Sequence, residues 1–320
     1  MKLKLRALGV LLGLVSMVGF SAQVFGWNDR GHMTVAYIAY KQLTPATRDR
    51  ANALLKLNPK YSDWAAKVDQ EVPAASADDK NLMIFMIAAT WADQIKRDST
   101  YIKDGSQGGN RPDGSPDPGK NTGYDDLLMH KYWHFIDTPF TQDGTALPAI
   151  PTPNAQERIA LFRTVLASTS ADGLKSYDMT WLLHLVGDVH QPLHASTRVS
   201  STDPEGDAGG NLVKLDCSKC ELHAFWDDLL GTQNNLKTVM KAARKLPKAQ
   251  PALAAKLDEK DWIAESFTEA QQTVYAPPIA AGDGPFTLTT QYKKNAGKLA
   301  KQRVALAGAR LANLLNTELK

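Results

Sequence analysis

Apolar and alanine-rich stretches at helical spacing recur along this chain, separated by segments dense in Gly, Pro, Asp and Asn. Met33 to Leu43 is the first such stretch. Leu82 to Lys96 is strongly apolar with few β-branched residues, and predicts one buried helix. Ala155 to Ser168, Met179 to Val189 and Leu222 to Leu230 follow. Gln291 to Leu319 carries alanine and leucine on one face and lysine and arginine on the other, the pattern of a long closing helix. Asp104 to Tyr124, Thr138 to Pro153 and Ser200 to Gly210 read as loops. Asn211 to Leu215 reads as one arm of a short hairpin. There is no internal repeat and no domain-sized linker, and the loops interrupt the helices rather than dividing them into two sets. The expectation is an all-α fold in a single domain, residues 27–320.

The start of the chain reads differently. Lys2, Lys4 and Arg6 precede an apolar run from Ala7 to Phe20, followed by Ser21-Ala22-Gln23-Val24-Phe25-Gly26. These are the three regions of a signal peptide. A membrane anchor is the rival reading, but the run is shorter than the roughly 18 residues that a spanning helix needs. Residues 1–26 are therefore expected to be removed on export to the periplasm or outside the cell. The mature chain would begin at Trp27 and keep no stable membrane association.

Removal of those three cations leaves 34 of the 37 basic residues, against 34 acidic ones. A broad electrostatic clamp for nucleic acid would show a basic excess. Affinity for phosphate must therefore come from a local site. The two cysteines, Cys217 and Cys220, are too few for a four-thiolate zinc site. In an exported protein a local disulfide suits the pair, with two unpaired thiols as the alternative.

The candidate chemistry lies in the histidines, of which there are seven. His184 and Asp188 are four residues apart and share a helix face, a separation that suits two ligands of one metal. Pro192 then ends the helix and His194 follows. His223 and Asp227 repeat the spacing on a second helix. Zinc favours such imidazole and carboxylate sets. Asp93 sits inside an apolar helix, where a carboxylate must be paired or bind metal. His134 lies in an aromatic stretch. His130 and His190 have no partner set and are left out of the ligands.

The matching pieces occur in one order: Trp27-Asn-Asp-Arg-Gly-His32, Trp91-Ala-Asp93-Gln-Ile-Lys96, Trp133-His134-Phe135-Ile136-Asp137, His184 through His194, Gly209-Gly210-Asn211, and His223-Ala-Phe-Trp-Asp227. In these the chain resembles the trinuclear zinc nucleases and 3′-nucleotidases of the S-one/P-one and mung bean type, distantly similar to zinc-dependent phospholipase C. The resemblance implies three zinc ions per chain. One would take Asp93, His134, His184 and Asp188. Its neighbour would take His32, Asp188 and the amino group and carbonyl of Trp27. The third would take His194, His223 and Asp227. It further implies that a hydroxide between the paired zincs attacks phosphorus, that Asp93 orients it, and that Lys96 contacts the phosphate. Phe135 would stack on a base, with Asp137, Gly209 and Asn211 bonding its edge. The implied partners are single-stranded DNA and RNA and 3′-nucleotides, cut by a monomer to give 5′-phosphate products. The stretch from His194 to Asn211 looks longer than in fungal relatives, which leaves base selectivity open. A zinc phospholipase C is the alternative. It usually has glutamate where Asp227 stands and lacks the Gly-Gly-Asn segment.

Overall fold

The computed structural model describes residues 26–102, 128–217 and 220–319. The expected leader up to residue 25 and the predicted loop from Asp104 to Tyr124 lie outside the described residues. The fold is all-α. Helices α1 (Asp29–Gln42), α2 (Pro45–Leu55), α3 (Tyr61–Glu71), α4 (Ala77–Ala88) and the single turn α5 (Trp91–Gln94) come first. Next are α6 (Ala155–Ala167) and α7 (Asp172–Asp188). Then follow α8 (Leu222–Asp227), α9 (Leu236–Ala243), α10 (Pro251–Ala254), α11 (Glu259–Glu269) and α12 (Thr290–Glu318). No described helix is long and apolar enough to cross a membrane.

Local chemistry sets the helix ends. The Asn28 side chain accepts from Gly31 N and starts α1 four residues before the apolar pattern begins. Asn154 and Glu157 form a reciprocal capping box on α6. The predicted helix from Leu82 to Lys96 is broken instead into α4, α5 and a 3₁₀ turn, Ile95–Arg97. At the break, the Thr90 hydroxyl donates to the Ile87 carbonyl, and the Ala89 carbonyl turns to a ring nitrogen of α7. Apolar periodicity runs through such a break unmarked.

Extended structure is slight. β1 (Pro139–Thr141) and β2 (Thr197–Val199) pair in parallel, with Pro139 opposite Thr197. β1 lies in a stretch that reads as loop, because three residues are too few to show a pattern. The predicted hairpin arm is reduced to one antiparallel bridge, Lys214 to Glu221, closed by a disulfide between Cys217 and Cys220.

Helix α7 is the axis of the core. Every residue from Lys175 to Asp188 is buried, as expected of a helix surrounded on all sides. Helix α12 lies so close to α1 that a Cβ at Gly308 would come within 2.6 Å of Ile38. It also carries two buried arginines. Arg310 forms a forked pair with Glu265, at 2.7 and 2.8 Å, and donates to His190 Nε2 at 3.0 Å. Arg303 donates to the His190 carbonyl at 3.2 Å and to Glu265 at 3.1 Å. The turn after α7 is thereby bolted to α12 and α11. Burial, with Arg303 and Arg310, holds the His190 pKa well below its ordinary value. The neutral ring donates from Nδ1 to the Val186 carbonyl, which keeps it out of any ligand set.

One buried charge in α7 has no such support. Neither carboxylate oxygen of Asp178 has a hydrogen-bond partner among the described residues. Burial pushes its pKa up to about 8 against partial compensation by Arg158. The unfolded chain therefore releases this proton near pH 4 and the folded chain near pH 8, so this residue's contribution to stability declines as pH rises between those values. Asp178→Asn should raise the denaturation midpoint at pH 8, and the gain should shrink toward zero by pH 4. Urea unfolding of both proteins across that range checks it. A gain independent of pH would show that the charge is not the cause.

Candidate metal centre

Six segments converge at the C-terminal end of α7. Helix α7 supplies His184 and Asp188, one turn apart. Helix α1 brings His32, α5 brings Asp93, and a 3₁₀ turn, Lys131–His134, brings His134. A second 3₁₀ turn, Pro192–Ala195, brings His194, and α8 brings His223 and Asp227. All eight side chains are buried. Their ligand atoms fall into three groups within which all lie within 4.8 Å of one another: His32, Asp93 and His184; His134, His184 and Asp188; and His194, His223 and Asp227. The third matches the set implied by the resemblance. The first two share His184 and place His32 beside Asp93 as well as Asp188.

Asp188 is the hub. Its Oδ2 lies 3.0 Å from His134 Nδ1 and 3.1 Å from His184 Nε2. Its Oδ1 lies 3.4 Å from His32 Nε2 and 3.8 Å from His194 Nδ1. Gly187 allows this approach, since a Cβ there would come 3.0 Å from His32 Nδ1. The His32 ring stacks on His184 with centroids 3.6 Å apart.

Backbone carbonyls orient three of the rings. His184 Nδ1 donates to the Ala89 carbonyl at 2.8 Å, His194 Nδ1 to that of His134 at 2.7 Å, and His223 Nδ1 to that of Gly209 at 2.7 Å. A carbonyl can only accept, so in each neutral ring the proton sits on Nδ1 and Nε2 offers a lone pair. His194 Nε2 and His223 Nε2 then face each other 3.1 Å apart. With Asp227 they form a group whose ligand atoms all lie within 4.8 Å of one another. Both nitrogens of His32, His134 Nε2 and Asp188 Oδ1 are buried without a hydrogen-bond partner. Such donor sets fit zinc.

The electrostatics agree. Burial opposes the charge on Asp93, but Lys96, His184 and His134 outweigh it and hold the carboxyl well below its usual range. Lys96 Nζ reaches Asp93 Oδ1 at 2.8 Å, and both are buried. Burial also opposes the charge on Asp188, and the surrounding histidines overcome it. Asp227 goes the other way. Burial, and the carboxylates of Asp93 and Asp188, push it well above the usual range against a hydrogen bond from Gln191. Burial lowers the His134 pKa to about 3, with Lys96 adding to it. Burial likewise lowers His32 and favours its neutral, ligating form, whereas on His184 burial is outweighed by Asp188 and Asp93, which raise it above its ordinary value.

Trp27 is fully buried. The backbone before it passes against the hub: a Cβ on Gly26 would overlap Asp188 Oδ1 and lie 3.2 Å from His194 Cε1. Phe135 is buried and Asp137 half-buried. Burial, then Asp207, pushes the Asp137 carboxyl up to about 7. The Asn211 amide donates to the Ala208 carbonyl at 2.7 Å. The Gly209 carbonyl is the acceptor for His223, so this glycine orients that ring. Its φ of +60° and the 2.5 Å that a Cβ would leave to the Leu193 carbonyl explain why glycine stands there.

Two supporting residues escape a reading of the sequence. Gln191 donates to Asp227 Oδ1 at 2.9 Å and accepts from Leu193 N at 2.6 Å. Its place between two ligand-bearing turns was the signal. Asp207 accepts from Arg198 N, Gly210 N and the Tyr275 hydroxyl and shapes the Gly-Gly-Asn turn; nothing in the sequence marks it. As Asp188 serves the sites on both sides and Asp227 one, Asp188→Asn should lose more bound zinc than Asp227→Asn. Metal analysis of the two purified variants checks this. Equal losses would remove the hub role.

Residues 27–320 match the model of the S1/P1 nuclease family. The chain is 27% identical to Endonuclease 4 of Arabidopsis thaliana over 230 residues, 60% of this chain and 73% of that one. It is 31% identical to Endonuclease 5 of the same plant over 173 residues, 47% and 55% of the two chains. With Nuclease S1 of Aspergillus oryzae it shares 25% over 205 residues, 63% and 54%. The matched part thus spans about half the length of the latter two. With a family match from Trp27 to the last residue and three His/Asp metal sites in place, this chain belongs to the S1/P1 nuclease family.

Proposed function

We propose that the chain hydrolyses phosphodiester bonds of single-stranded DNA and RNA, giving 5′-phosphate products, and also removes phosphate from nucleoside 3′-monophosphates. Zinc-dependent phosphodiester hydrolysis is the activity of its family and metal sites; the strand and product assignments are our reading. The observation that carries it is the set of three His/Asp groups around Asp188. Zinc held there lowers the pKa of water to roughly 7 and neutralises charge on phosphoryl oxygens.

The protein residues do the rest. Asp93 faces the hub and accepts from Lys96, so it can hold a water proton while Lys96 bonds a phosphoryl oxygen. Phe135 offers a face for a base to stack on. Near neutrality the Asp137 carboxyl is partly protonated, and can donate to a base edge as well as accept from it. A paired and stacked base would reach this pocket only after unstacking, which costs a few kcal/mol. That supports single-strand preference. None of these residues is committed to a 2′-hydroxyl, which supports action on both RNA and DNA.

We further propose that export removes residues 1–26 and that the Trp27 amine and carbonyl complete the site beside His32. The closeness of Gly26 to Asp188 and the start of the family match at Trp27 support this. One extra residue before Trp27 should then lower zinc content and remove most activity. Full zinc content in the extended protein would remove Trp27 from the ligands.

Digestion of end-labelled single- and double-stranded oligonucleotides, with mass analysis of the termini, tests the main reading. Single strands should be cut faster, leaving 5′-phosphate ends. Products with 3′-phosphate would reverse the assigned direction. Faster turnover of phosphatidylcholine than of oligonucleotide would move the protein to the phospholipase class.

A further inference from the structure

An approach to the metal centre opens beside Asp93 and Asp227. It is a cleft of about 290 Å³ between the turn after α5 and the loop after α8. Asp93 and Asp227, from two different metal groups, form its floor, and Arg97, Thr232 and Asn234 form part of its wall. Phe135, Asp137 and Asn211 do not line it. A strand whose 5′-side base occupies the base pocket must leave the metals by another route, and this cleft is large enough for about one nucleotide.

Arg97 is exposed and is the cationic side chain among the lining residues. Its neighbour Lys96 is buried against Asp93 and turned to the floor. The two successive cations thus serve different depths. The outer rim is acidic: Asp29 accepts from Asn234 at 3.0 Å and Asp228 accepts from Asn28 at 2.7 Å. These amides fix the carboxylates in place without neutralising them. A phosphate on the exit path therefore meets one guanidinium and, beyond it, two fixed anions.

We propose that this cleft is the subsite for the nucleotide on the 3′ side of the cut, with Arg97 binding the next phosphate of the strand. The inference rests on the phosphodiesterase reading above. A guanidinium makes strong, charge-assisted bonds to phosphate. The acidic rim limits the gain to a single extra phosphate. A nucleoside 3′-monophosphate has no group to place there.

The test uses the zinc-loaded enzyme and the thymidine oligomers TpT and TpTpT, scoring release of the 5′-terminal thymidine. Only TpTpT has a phosphate 3′ of that bond. In the wild type, kcat/KM for TpTpT should exceed that for TpT by about tenfold, about 1.4 kcal/mol. A fourth nucleotide should add little. In Arg97→Ala the advantage should collapse toward one, and Arg97→Lys should restore part of it. The slope of log Kd against log salt for a phosphorothioate TpTpT should flatten by about 0.7, the loss of one phosphate contact on a single strand. An equal fall on both substrates, or a loss of zinc from Arg97→Ala, would make Arg97 a residue of site assembly and overturn the proposal. An unchanged TpTpT advantage in Arg97→Ala would also overturn it. Failure of the wild type to cut either oligomer would instead remove the underlying reading.

Discussion

The structure depends on one constraint: three carboxylates and five imidazoles are buried together at the end of α7. Buried carboxylates repel one another, and their burial away from water is costly without compensating positive charge. Asp188 is held low by its surrounding histidines, while burial and its neighbouring carboxylates push Asp227 up. Zinc supplies positive charge, and the family and the geometry agree on three such sites.

Holding such a cluster in register takes a rigid surround. The Nδ1 protons of His184, His194 and His223 are each tied to a carbonyl from a different segment. Each carbonyl is available because regular structure stops there: at the break after α4, at the end of a 3₁₀ turn and in the Gly-Gly-Asn turn. On the far side, α12 reaches the centre through Arg303 and Arg310, which lock His190 and so the turn that carries Gln191 and His194. Gln191 then fixes Asp227 on α8. The long closing helix is thereby part of the machinery, although none of its residues touches the site.

Much of this was legible in the residue order. The i, i+4 pairs His184–Asp188 and His223–Asp227 each share a helix, and His134 joins them in the metal groups; Asp93 joins as well, though from the short turn α5 rather than from one long apolar helix. The resemblance added His32, which no spacing argument reaches. The long, strongly periodic helices were also readable. Helices α2, α3, α9 and α11 were not read, because each has only a few buried positions among polar ones, and α5 and α10 have too few residues to show a period. The parallel β1–β2 pair was hidden for the same reason.

What the sequence by itself determined is the ligand chemistry and the helical class, since both are written in residue type and local spacing. Only the tertiary structure decided how the ligands group. That His32 stands beside Asp93 as well as Asp188, that Gly209 serves His223, and that α12 governs Asp227 through His190 and Gln191 are all contacts between segments far apart in the chain. They are fixed by the packing of α1, α7, α8 and α12 around one point. Residue order carries no record of distance across a core, so these relations appear only once the helices are in place.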